Sequence, residues 1–111
     1  MFKLLVVLAL VAAIQGQLPG GFTNRPELVD QESTGALVRL AVQELKDQQN
    51  LFVSPVKVLT VGTQVVAGMN YHIVFTARSF STAGVLTCTA RVYQHFTGVQ
   101  TVSSVACDSK F

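Results

Sequence analysis

At 111 residues, 50 % of them hydrophobic and 13 % charged, the chain has room for one domain and little else. Its formal net charge of +2, from 8 basic against 6 acidic residues, is too weak a field to argue for nucleic acid or an anionic membrane as partner. Two histidines and two cysteines leave little material for a metal centre or for a nucleophile with its base.

In chain order, Lys3 supplies a positive start, Leu4 to Ile14 is an unbroken apolar run, and Gly16 stands at a small-residue cleavage position. This order reads as a signal peptide over residues 1–16, because the run is shorter than the roughly 20 residues a membrane-spanning helix needs. The domain would then occupy residues 17–111, in a secreted, extracellular protein. Residues 17–24, QLPGGFTN, hold two Gly and one Pro and no charge, so they are expected to form an extended, mobile arm.

Pro26 can open a helix. Leu37, Val38, Ala41, Val42 and Leu45 fall on one side at helical spacing, with Arg39, Gln43, Lys46 and Asp47 on the other. One amphipathic helix is predicted from about Asp30 to Gln49, despite Gly35 within it. After Asn50 the period changes to two. Val56, Val58 and Thr60 alternate with Lys57, Leu59 and Val61, and Met69, Tyr71, Ile73 and Phe75 alternate with Asn70, His72, Val74 and Thr76.

Ser79 to Gly84 is a polar turn cluster. Two further strands are predicted, Val85 to about Gln94 and Val99 to Cys107, with His95-Phe96-Thr97-Gly98 between them. The composition barely supports a short strand near Phe22 to Asn24. Helix followed by hairpin-connected strands predicts an α+β domain in two layers, an antiparallel sheet with one face covered by the helix.

Cys88 and Cys107 are expected to pair, since a signal peptide implies an oxidising compartment. Closing a ring of that size stabilises by roughly 3 kcal/mol in the chain-entropy treatment. No catalytic residues, metal ligands or cofactor motif emerge. His72 and His95 have no acidic neighbour at ligand-like spacing, and His72 reads as an exposed strand residue. No glycine-rich phosphate loop and no N-glycosylation sequon are present. An enzyme is therefore not expected.

What remains is recognition by loops. Three segments are unlike ordinary connectors: Leu18-Pro19-Gly20-Gly21, Gln64-Val65-Val66-Ala67-Gly68, and the turn from His95 to Gly98 with Phe96 in it. Turns are usually built from Gly, Asn, Asp or Pro, so an apolar turn suggests a binding surface. In an up-and-down antiparallel sheet the two turns lie at the same end, and an arm entering there would complete a three-part apolar edge. On periodicity alone, Val65 and Val66 read equally well as ordinary strand residues. If they do form a tight turn, two β-branched residues there should be strained, which would invite a domain-swapped dimer beside the expected monomer.

These features together resemble the secreted cystatins, inhibitors of papain-like cysteine proteases. The family's Gln-x-Val-x-Gly appears as Gln64 to Gly68, followed by Met69-Asn70-Tyr71 in place of its hydrophobic-Asn-Tyr continuation. Leu18 to Gly21 resembles the family's amino-terminal stretch, Ala41-Val42-Gln43-Glu44 its helix signature, and Cys88 to Tyr93 with Cys107 its last disulfide.

The resemblance implies a long helix packed across a five-stranded antiparallel sheet, so that a short strand does precede the helix. It also implies reversible, tight-binding inhibition of cathepsin-type proteases by a wedge of arm and two hairpin loops. By resemblance Leu18 and Pro19 occupy apolar subsites, and Gly20 passes the catalytic thiol. Val65, Val66 and Ala67 would line the cleft rim, while Gln64 and Gly68 hold the hairpin shape.

Two departures stand out. The family's Pro-Trp in the second hairpin is His95-Phe96 here, and only the later of its two usual disulfides remains, as in invertebrate-type members. Gln49-Asn50-Leu51 lacks the neighbours of a legumain-binding Asn. The altered hairpin keeps open an alternative, a non-inhibitory secreted cystatin-fold binding or immune protein.

Overall fold

The structure, a computed structural model, describes residues 21–80 and 84–109. Leu18, Pro19, Gly20 and the proposed signal peptide lie outside that range. The described chain forms β1 (Thr23–Asn24), a 3-10 turn (Pro26–Leu28), α1 (Glu32–Gln49), β2 (Val53–Val66), β3 (Gly68–Ser79), β4 (Val85–Gln94) and β5 (Gln100–Ser109). The five strands make one antiparallel sheet in sequence order, and α1 packs across one of its faces. This is the two-layer α+β fold expected, short first strand included.

Pro26 opens the 3-10 turn rather than the helix, so α1 starts at Glu32, two residues later than predicted. Its end is set by Asn50, which adopts a left-handed conformation (φ 53°), while the Leu51 N–H bonds back to the Leu45 carbonyl. Such a reversal satisfies carbonyls that the last helical turn leaves free. The same Asn50 that lacks legumain-type neighbours thus has a structural task. Leu37, Val38, Ala41 and Leu45 are buried, with Val42 partly so, against Val61, Ile73, Phe75, Ala90, Val92 and Val105. A side-chain bond from Gln49 Nε2 to the Val105 carbonyl (2.8 Å) ties the end of α1 to β5.

β2 departs from strict alternation. Its pairing with β3 slips between Pro55 and Lys57 and again between Val58 and Thr60, leaving Val56 and Leu59 unpaired and exposed. Each extra residue is a bulge that rotates the next stretch of strand onto the opposite face. This is why a segment that reads as one period-two run carries two exposed apolar side chains, Val56 and Leu59, on either side of Val58, which packs against the core.

Cys88 and Cys107 stand directly opposite each other in the β4–β5 ladder and form the disulfide. Cys88 is fully buried, so the bridge closes the edge strand onto the core. Among the described residues no helix is long and apolar enough to cross a membrane.

Candidate functional site

The strand register settles where the three singled-out segments go. β2 and β3 meet at Ala67, with Val66 opposite Gly68, so Val65 and Val66 are paired strand residues and the bend is confined to Ala67. Both ordinary strand pairing and a turn-tip location therefore apply. Val65 is 75 % exposed, and Val66 and Ala67 are exposed as well, which is unusual for a ladder end rich in β-branched residues.

The strain expected at the valines is absent. The left-handed conformation falls on Gly68 (φ 122°), and the only described non-glycine residue with positive φ is the remote Asn50. A glycine adopts this conformation without the steric penalty that a side chain brings. The swap argument from hinge strain thereby loses its premise.

Gly68 has a second reason to be glycine. A Cβ there would stand 2.4 Å from the Gln94 carbonyl oxygen and 3.2 Å from the His95 Cα, so the first turn lies directly on the approach to the second. The Tyr93 hydroxyl donates a hydrogen bond to the Ala67 carbonyl, fastening β4 to the bend. Asn70 Nδ2 donates to Gln64 Oε1 (3.0 Å) across the hairpin. Gln64, Asn70 and Tyr93 are consecutive cross-strand partners, which places all three on one face.

The second turn holds itself. The His95 N–H bonds the Val99 carbonyl (2.8 Å) and the Gly98 N–H bonds the His95 carbonyl (2.8 Å). His95 Nδ1 lies 2.8 Å from the Thr97 hydroxyl. The rings of His95 and Phe96 sit 4.1 Å apart, and Phe96 is 78 % exposed. The end of the arm joins the same rim: Gly21 (φ 89°) passes so near Gln64 that a Cβ on it would meet Nε2 at 2.8 Å.

Thr23 and Asn24 pair with Thr63 and Gly62, so the base of the arm is fastened to the sheet rather than free through residue 24 as expected. Of the expected site, Gly21, Gln64, Val65, Val66, Ala67, Gly68, His95 and Phe96 gather at one end of the sheet.

His72 contradicts its expected exposure. It is 6 % exposed, its ring lies 5.7 Å from that of Phe22, and its Nδ1 has no hydrogen-bond partner among the described residues. Burial, reinforced by the Arg91 guanidinium, holds its pKa below the ordinary histidine value of 6.5. The sequence also did not reveal the buttressing roles of Tyr93 and Asn70. The available signal was their register, since each lies opposite the other and Asn70 lies opposite Gln64.

Comparison with known proteins agrees with this architecture. The cystatin-domain family matches residues 20–95, and the chain belongs to that family, whose members are cysteine-protease inhibitors rather than enzymes. Among solved structures, mialostatin, a gut cystatin from the hard tick Ixodes ricinus, superposes with a TM-score of 0.68 at 20 % identity, covering 82 % of this chain and 100 % of that one. A salivary cystatin from the soft tick Ornithodoros moubata gives 0.66 at 23 % identity, covering 82 % and 99 %. Al-CPI gives 0.68 at 22 % identity, covering 82 % and 100 %. Among characterised protein sequences none matches the chain.

Proposed function

We propose that this protein is a reversible, tight-binding inhibitor of papain-like, cathepsin-type cysteine proteases, and that the rim formed by the arm and the two hairpin turns is the wedge that fills their cleft. The observation that carries the reading is the joint exposure of Val65, Val66, Ala67 and Phe96 on a rim held by Gly68, Tyr93 and Asn70. A preorganised apolar edge loses little conformational entropy on docking, which leaves a larger share of the burial to appear as affinity. Full burial of one valine contributes roughly 1.5–3 kcal/mol.

Leu18, Pro19 and Gly20 continue from Gly21 into the non-primed side of the cleft, where Gly20 permits close backbone approach to the protease thiol. No bond is made or broken. Residues 1–16 act as a signal peptide, and the mature protein works outside the cell.

The acting form is the monomer. A dimer made by straightening the bend at Ala67 would merge β2 with β3 and remove the first tip of the wedge. The alternative, a non-inhibitory secreted binding protein on the same fold, is favoured by Phe96 where the family usually has Trp. It is disfavoured by the exposure of Val65, because a retired loop has no reason to stay apolar in water.

Titration of a papain-like endopeptidase and a papain-like exopeptidase with the protein tests the proposal. Inhibition at an equimolar end point is the expected result. A protease left fully active by micromolar protein overturns it.

A further inference from the structure

The face of the sheet opposite α1 carries a cluster that the rim does not use. Asn24, Gly62, His72 and Arg91 are successive cross-strand partners, one on each of β1 to β4. Gly62 presents no side chain, leaving a gap between β1 and β3 on this face. The Phe22 ring lies two residues before Asn24, hence on the same face, and reaches His72 across that gap. From β4 the Arg91 guanidinium reaches back and stands 5.3 Å from the centroid of the same ring. Phe22 is thereby held between an imidazole and a cation one residue after Gly21, where the arm leaves the sheet.

We propose that His72 is a positioning residue for the amino-terminal arm: neutral, it holds the Phe22 ring on the sheet, and on gaining a proton it releases that ring, so the arm contributes most to protease binding near neutral pH and less in acid. The proposal rests on the inhibitor reading for its consequence and on the Phe22 clamp for its cause.

Two physical effects set the direction. Protonation would ionise a ring held largely out of water and place a second positive charge beside Arg91, and these outweigh the hydrogen bond to its own backbone that favours the charged form. Attraction between an imidazolium and the Phe22 face acts the other way, but at such sites it is worth only about 0.5–1 kcal/mol. From β4 this face also presents Thr89 and Tyr93 beside Arg91. From β2 it presents Thr60 and Gln64, and from β3 itself Asn70 and Val74. No carboxylate stands among these neighbours to receive an imidazolium.

The depressed pKa of His72 agrees with this balance. A histidine whose pKa is lower with the arm docked than undocked stabilises the docked arm fully above its undocked pKa, and that stabilisation is lost as pH falls through the docked pKa.

Two measurements decide the matter. The first follows the His72 ring by NMR in the uncomplexed protein and in Phe22→Ala. The titration is expected below the ordinary histidine value in the wild type and to move up toward it once the ring is gone. The second compares inhibition constants of wild type and His72→Phe against one papain-like protease at about pH 7.5 and about pH 5. Relative to the variant, the wild type is expected to weaken about three- to tenfold at the lower pH.

An identical His72 titration with and without Phe22, or parallel pH profiles for wild type and His72→Phe, overturns the clamp. If neither protein inhibits at either pH, it is the inhibitor reading that falls, and the NMR comparison still decides the clamp.

Discussion

At the first hairpin turn a Cβ on Gly68 would stand 2.4 Å from a backbone carbonyl oxygen, whereas at the second a Cβ on Gly98 would meet no atom within 4 Å. Both glycines take positive φ, 122° and 99°. The first turn is thus shaped from outside, by Gln94, Tyr93 and His95 pressed against it, and the second from within, by the bonds of His95 with Thr97, Gly98 and Val99. The tightly braced turn carries the smaller apolar side chains and the self-supporting one carries the aromatic. Rigidity and contact area are therefore divided between them.

Substitution at the two glycines separates these modes of support most sharply. Gly68→Ala must push a backbone oxygen aside as well as adopt an unfavourable φ, so stability should fall by more than about 2 kcal/mol and inhibition by about a hundredfold. Urea unfolding and inhibition constants read the two effects. Gly98→Ala faces the φ penalty alone, about 1–2 kcal/mol, and should leave inhibition within about fivefold. Equal losses at both positions would erase the distinction.

Phe96→Ala is next in size. The ring is exposed, so stability should hardly change, while inhibition weakens about tenfold because aromatic anchors carry a disproportionate part of interface energy. Phe96→Trp, which restores the aromatic usual in the family, should strengthen inhibition by about tenfold. A loss of thermal stability in Phe96→Ala that matched its loss of inhibition would assign the ring to folding instead.

The smallest effect is expected for Tyr93→Phe. It keeps the ring and removes the hydroxyl that bonds the Ala67 carbonyl, so about 0.5–1.5 kcal/mol of bracing should disappear. Faster amide exchange at Ala67 and Gly68, with Thr97 and Gly98 unchanged, would locate that loss in the first turn.

The elements of this fold were legible wherever one residue faced one environment. Leu37, Val38, Ala41 and Leu45 announced the buried side of α1, and Ile73 and Phe75 that of β3. Cys88 and Cys107 announced their bond by being the only pair available. Misreadings arose where a residue's surroundings come from a distant segment. Val56 and Leu59 looked like links in an alternating strand because a bulge leaves no mark in composition.

His72 looked exposed because nothing local says that Phe22 will cross Gly62 to cover it. The valines of the first turn looked strained because the sequence does not show that Gly68 takes the whole reversal. The rim came from topology alone: antiparallel strands in sequence order bring alternate turns to one end.

The most direct test compares two exposed valines on the same strand, Val65 at the rim and Val56 at the far bulge. Both side chains are exposed, Val65 at 75 % and Val56 at 52 %, but only at Val65 would an aspartate carry a charge into a protease cleft. Val65→Asp should raise the inhibition constant for a papain-like protease by about a hundredfold or more, with Val56→Asp within about twofold of the wild type. Equal inhibition by all three proteins, or equal loss in both variants, would contradict the assignment of this rim as the inhibitory surface.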